Sequence, residues 1–163
     1  MKRVYIVRHA KSDWDNELED FDRPLNDRGH GDAPAMAERI NKMGHKPDMI
    51  VSSPAKRAIT TAKYFAQEYD YPEDCIRKEV DIYNMGQRFT LATIAELSPT
   101  TDSVMIFGHN PDHSYVATLL SNTQIGNMPT CAVVGVEFDT DDWQDIKKAE
   151  SKLLFFEYPK KEQ

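Results

Sequence analysis

The stretch "VYIVRHA", residues 4–10, decides how the rest of the chain is read. Four apolar residues, β-branched or aromatic, run straight into Arg8 and His9, so a buried strand ends on a cationic pair. A strand that carries an arginine and a histidine to one point asks for an anionic partner there.

Outward from that strand the pattern alternates. "DAPAMAERINKMG" (32–44) has helical spacing at Met36, Ile40 and Met43, with Asp32 as N-cap and Gly44 as C-terminal stop. "DMIV" (48–51) reads as a second strand, and "SPAKRAITTAKYFAQEY" (53–69) as a helix capped by Ser53 with Pro54 at its first position. "IRKEVDIY" (76–83) holds a weak strand, and "QRFTLATIAEL" (87–97) a helix. "SVMIFG" (103–108) is the clearest strand, "PDHSYVATLLS" (111–121) a helix, and "TCAVVGVEF" (130–138) and "KLLFFEY" (152–158) two further strands. Strands alternating with helices predict an α/β fold, a three-layer α/β/α sandwich around a mainly parallel sheet. The last two strands follow one another without a long helix, which predicts an antiparallel edge strand.

The chain has 163 residues, 40% hydrophobic and 29% charged, which predicts one soluble domain over 1–158 with "PKKEQ" (159–163) as a tail. A formal charge of −7 argues against nucleic acid or an anionic membrane surface as partner. No apolar run approaches the roughly 18 residues of a membrane span, and the run after Lys2 and Arg3 is too short for a signal peptide. Two cysteines, Cys75 and Cys131, suit a reducing compartment, so a cytoplasmic location is expected.

Ligands of α/β sheets bind at the carboxyl ends of the strands. The first strand delivers Arg8 and His9 there, and "SSPAKRA" places Arg57 about one turn into a helix whose side chains lean back toward its start. "SVMIFGHNP" delivers His109, then Asn110, then Pro111 at a helix start. Guanidinium forks match phosphate oxygens, and helix N-termini add N–H donors. A neutral histidine is a competent nucleophile near pH 7. A second histidine, charged by the phosphate, neutralises oxygens as the phosphoryl group transfers, and no metal or cofactor is then needed. Each residue alone has a plainer reading: a strand-end salt bridge for Arg8, a structural role for His9, a solvated helix face for Arg57. His109 with His113 suggests a zinc pair, but His109 precedes the helix and no carboxylate or cysteine completes the site. The weight lies in the convergence.

Between the first strand and the first helix, residues 11–27 carry six acids from Asp13 to Asp22. This segment reads as a solvated loop, as a flap whose Trp14 and Phe21 cover the strand ends, or as a metal-binding loop, although the calcium spacing with its glycine is absent.

"RHAKS", "DRPLNDRG", "SSPAKRAITTA" and "GHNP", in that order, resemble the motifs of the histidine phosphatase superfamily, and nearly the whole chain is similar to its small SixA-type phosphohistidine phosphatases. The resemblance implies a phosphoglycerate mutase-like fold, with His9 transiently phosphorylated, Arg8 and Arg57 holding the phosphoryl group, and His109 as the second pocket histidine. Ser12 and Asn110 become candidate substrate contacts. The mutase branch of the family has "RHG"; Ala10 stands at that position. Mutases and ester phosphatases of the family also carry a glutamate donor after the third strand. Here "VDIYNMGQ" (80–87) offers only Asp81, so the candidate proton donor is Asp81, or Asp13, Asp20 or Asp22 of the acidic loop.

An alkoxide leaving group gains typically about 10²–10⁴-fold from a general acid. Imidazole, with a pKa of about 7, needs that help far less. The missing glutamate therefore tilts the expectation toward P–N cleavage. So does the short chain, since relatives that act on sugars or nucleotides carry insertions over the pocket, and an acidic rim disfavours bisphosphates. The expected activity is a metal-independent phosphatase, a phosphoric monoester or phosphoramidate hydrolase. It acts through phospho-His9 on a phosphohistidine protein and releases inorganic phosphate. The alternatives are a phosphatase or mutase of small phosphate esters, and a catalytically silent phosphate-binding module.

Overall fold

The computed structural model describes residues 1–14 and 17–161; Asp15 and Asn16 of the acidic loop, and Glu162 and Gln163 of the expected tail, lie outside the described residues. Six strands form one sheet: β1 (Lys2–Arg8), β2 (Met49–Ser52), β3 (Arg77–Lys78), β4 (Ser103–Gly108), β5 (Val133–Phe138) and β6 (Ser151–Glu157). Their order is β3-β2-β4-β1-β5-β6. The first four pair in parallel, and β5 runs against both β1 and β6. The expected antiparallel pairing is present, and the inverted strand is β5, one place in from the edge. The expected weak strand at 76–83 shrinks to the two residues of β3, and the remainder coils into α3 (Val80–Asn84).

Helices α1 (Asp27–Lys42) and α2 (Lys56–Glu68) cover one face of the sheet, with Met36, Ile40 and Phe65 packed on Tyr5, Val7 and Phe107. α3, α4 (Gln87–Ala95) and α5 (Asp112–Ser121) cover the other, with Ile82, Ile94 and Val116 on Val4, Ile6 and Ile106. Strands sandwiched in this way read as near-continuous apolar runs, which is why "VYIV" and "SVMIFG" stand out. No described helix is long and apolar enough to cross a membrane.

Two helix starts differ from the expectation. Helix α1 begins at Asp27, six residues before the start that an Asp32 cap predicts, with Asn26 as its N-cap: the Asn26 side chain accepts from the Gly29 N–H at 2.9 Å. A glycine at 29 allows this, because a Cβ there would lie 2.1 Å from the Lys11 carbonyl oxygen. Helix α2 begins at Lys56, not at Pro54, and Ser53 stands outside it, accepting from the Ala55 N–H at 3.2 Å. Its hydroxyl is drawn instead toward His109, whose Nε2 is 2.8 Å away.

The base of the acidic loop is closed like the mouth of a bag. Asn26 N–H donates to the Lys11 carbonyl at 3.0 Å, Asp13 N–H to the Pro24 carbonyl at 2.9 Å, and Ser12 bridges Leu25. The closure turns residues 17–23 back over the carboxyl ends of the strands. Pinned there, the short helical turn at Asp20–Asp22 faces α2.

Candidate active site

The strand ends meet in a pocket of about 220 Å³, lined by Arg8, His9, Ser12, Arg57, His109 and Asn110. A larger cleft of about 590 Å³ beside α5 and β6 contains no histidine and none of these residues. His9 is fixed through its backbone on three sides. Its N–H donates to the Gly108 carbonyl at 3.0 Å, its carbonyl accepts from Cys131 N–H at 3.0 Å, and the next N–H, of Ala10, donates to Thr61 Oγ1 at 3.0 Å. β1 and β4 end side by side, so the Gly108 contact follows from their register. Gly108 in turn lies against the buried His113 ring, whose Cε1 would be 2.3 Å from a Cβ at that position.

The His9 ring is oriented as a nucleophile requires. Nδ1–H donates to the Ala10 carbonyl at 2.7 Å, so Nε2 keeps its lone pair. Burial, and then the neighbouring Arg57, Arg8 and Arg23, hold its pKa down at about 3, against the pull of that carbonyl. His109 stands 5.2 Å away, ring centre to ring centre. Burial first, then His9 and Arg57, hold it near 2, so in the ligand-free pocket both imidazoles are neutral. The charged His109 expected from the sequence therefore depends on an anion entering beside it.

Arg8 donates from Nη1 to the Met128 carbonyl at 2.8 Å. Arg57 grips Asp20: Nη1 donates to its carbonyl at 2.7 Å and Nη2 to its Oδ2 at 3.0 Å. Among the described residues, four buried side-chain polar atoms have no partner, and three of them belong to this pocket: Arg8 Nε, Arg57 Nε and His109 Nδ1. The two arginine atoms are obligate donors, and unpartnered buried donors are costly and scarce.

A model of the histidine phosphatase superfamily (branch 1) matches residues 4–79, which carry Arg8, His9 and Arg57. An uncharacterised chloroplastic protein of Arabidopsis thaliana is 30% identical over 153 residues, spanning 88% of this chain and 70% of its own. The chain belongs to the histidine phosphatase superfamily.

A solved structure from Agrobacterium tumefaciens, described as the phosphohistidine phosphatase SixA, is similar with a TM-score of 0.80 at 28% identity, covering 97% of this chain and 98% of its own. Two others share the fold at lower identity. A SixA bound to tungstate has a TM-score of 0.75 at 20% identity, over 96% of this chain and 97% of its own. A mycobacterial glucosyl-3-phosphoglycerate phosphatase has 0.64 at 16%, over 94% and 97%. The chain is SixA-like, and membership in this superfamily makes phosphate-bearing substrates its chemistry.

The remaining candidates sort by position. Ser12 lines the pocket, but its hydroxyl accepts from Arg23 Nη1 at 2.7 Å. Asn110 also lines it, with Nδ2 donating to the Met128 carbonyl at 3.0 Å and Oδ1 accepting from Ser114 at 2.7 Å. Both hold the wall. Asp13 lines a neighbouring cleft with Trp14 and Asn26, and Asp81 lies on α3, lining neither.

Of the candidate donor carboxylates Asp20 is the one that lines the pocket, and Arg23 beside it is a pocket residue that sequence reasoning did not single out. Arg23 is buried, with Trp14 stacked 3.4 Å from its guanidinium and Nε donating to Asp20 Oδ1 at 3.1 Å. It stands in the quoted "DRPLNDRG", which was the available signal. The flap's second aromatic, Phe21, packs on Tyr83, 5.3 Å between ring centres, and the Tyr83 hydroxyl donates to Asp20 Oδ2 at 2.7 Å. That hydroxyl first, then Arg57 and Arg23, bring the Asp20 carboxyl down to about 2. No three described His, Cys, Asp or Glu side chains gather as a metal-binding group.

Proposed function

We propose that this protein is a phosphatase that acts through a phosphohistidine on His9 and hydrolyses phosphohistidine on other proteins. The observation that carries this reading is the state of Asp20. It is the one carboxylate among the described residues lining the pocket, and it is held at about 2 by three donors. A carboxyl ionised so firmly does not protonate a leaving group at neutral pH. An alkoxide would suffer from that, while imidazole leaves unaided far more readily.

The steps follow from the ring geometry. His9 Nε2 attacks phosphorus; the Nε2–P bond forms while the substrate's P–N bond breaks, and the substrate ring, protonated on its other nitrogen, keeps the electron pair and departs as neutral imidazole. Arg8, Arg57 and His109 supply donors to the phosphoryl oxygens, and positioning with charge stabilisation performs most of the catalysis. Water then attacks phospho-His9 and the Nε2–P bond breaks; His9 keeps its Nδ1 proton and is neutral again, while the water's protons leave on inorganic phosphate or pass to solvent. A pocket of about 220 Å³ has room for a phosphorylated side chain presented by another protein.

Initial rates on a phosphohistidine-bearing protein and on a panel of phosphate esters, in EDTA, test the reading. Expected are a preference for the P–N substrate and a loss of at least about 10³-fold in His9→Ala with the fold intact. A preference for one ester would replace the substrate assignment, and turnover by His9→Ala at the parent rate would end the mechanism.

A further inference from the structure

Ser53 was expected to cap a helix and does not. Fully buried, it is held by its own N–H to the Phe107 carbonyl at 2.9 Å. Its Oγ sits between two groups, the Ala55 N–H at 3.2 Å and His109 Nε2 at 2.8 Å. A hydroxyl has one proton to give and two lone pairs. Ala55 occupies one lone pair, so toward His109 the proton remains available.

The other face of His109 constrains which way that bond runs. Nδ1 is buried and has no partner, in company with Arg8 Nε and Arg57 Nε. Both arginine atoms are obligate donors. His109 joins them as a third donor to one anion only if Nδ1 carries the proton, and a neutral ring then has Nε2 as an acceptor. The Ser53 hydroxyl is the donor that satisfies it.

From this we infer that Ser53 is a positioning residue. It donates to His109 Nε2 in the ligand-free enzyme, fixing the Nδ1–H tautomer that faces the phosphoryl group. When a phosphoryl dianion draws a second proton onto the ring, the same hydroxyl rotates and accepts from Nε2–H through its remaining lone pair. One side chain thus serves both protonation states without moving its oxygen. Nothing in the serine touches phosphorus, so its effect is carried entirely by His109. The inference rests on the reading of His109 as a phosphoryl donor.

Two measurements test it, one of which needs no turnover. Nitrogen-15 shifts of the His109 ring report the tautomer directly in the free protein. The expected result is Nδ1–H in the parent and a mixture or Nε2–H in Ser53→Ala; an Nε2–H ring in the parent, or an unchanged tautomer in the variant, overturns the inference. The second is a double-mutant cycle on the rate of phosphoryl transfer to His9. Ser53→Ala is expected to lower that rate by about 10- to 100-fold in the parent, as loss of a histidine-orienting partner does, and by less than about twofold in a His109→Gln background. Equal losses in both backgrounds would show a general packing defect and overturn the inference. Ser53→Cys, of similar size, controls for packing: its folding midpoint should match the parent's while its rate stays near that of Ser53→Ala, because a thiol donates weakly. Should His9 never become labelled, the phosphatase reading fails, while the tautomer experiment still decides the Ser53–His109 bond.

Discussion

Strand β1 carries a cation at each end, Lys2 buried and Arg8 half-buried, and the two are treated in opposite ways. At its start, the Lys2 ammonium is 2% exposed and donates to the Pro99 carbonyl, the Thr101 carbonyl and Asp102 at 2.7, 2.9 and 3.1 Å. All three of its protons are used, and the Trp143 ring lies 5.4 Å from it. At its finish, Arg8 donates from Nη1 to the Met128 carbonyl, and its Nε is left without a partner. A saturated cation holds a fold together; an unsaturated one in a pocket is available to a ligand. The two ends of one strand therefore differ in how fully a cation is paired, and on the proposed reading the open donors of Arg8 serve the phosphoryl group.

The largest effect that sharpens this contrast is acidification. His9, His109 and His113 are held by burial at about 3, 2 and 4. The unfolded chain takes up these protons below about pH 6.5, and the folded chain does not until far lower. Stability therefore falls as pH drops from 6.5 toward 4, by about 1.4 kcal/mol per pH unit for each histidine. Denaturant unfolding at several pH values checks the slope, and hydrogen exchange should show the pocket end opening before the Lys2 end.

Arg57→Met is expected to cut turnover by at least about 100-fold, since hydrogen bonds to a charged group are worth about 1.5–3 kcal/mol each, with a change in folding midpoint small by comparison. Lys2→Met should do the reverse, lowering stability by about 2 kcal/mol through unpaired carbonyls while turnover stays within twofold; equal behaviour of the two variants in both assays would break the contrast. The smallest effect expected is at Asp20. Its carboxylate and a phosphoryl group compete for Arg57, so Asp20→Asn should tighten binding of inorganic phosphate about tenfold, by about 1.4 kcal/mol, read by calorimetry.

Legibility in the sequence followed the same division between local and distant causes. The strands could be read because both faces of the sheet are covered, leaving unbroken apolar runs such as Val4–Val7 and Val104–Phe107. Arg8, His9, Arg57 and His109 could be read because each stands at or just past a strand end. The start of α1 was misplaced because Asp32 and Asn26 are both good caps, and the choice was made by the approach of Gly29 to Lys11, eighteen residues away in the chain. Ser53 looked like a cap for the same reason, and its real partner is His109. The choice of Asp20 among the loop acids, and the place of Arg23 beside it, were settled only when the loop folded back through the Ser12–Leu25 bridge, and nothing in their immediate neighbours announces that.

The closed base of that loop has a consequence for what the scaffold can become. The bonds between Lys11 and Asn26, and between Asp13 and Pro24, meet the cost of bringing the ends together before any residue of the tip is considered. Further lengthening of a loop costs only about 0.6 kcal/mol per doubling. Residues added at the tip thus leave His9 and its carbonyl partners undisturbed while rebuilding the wall that a substrate meets, and the site's chemistry and its selectivity can change independently of each other.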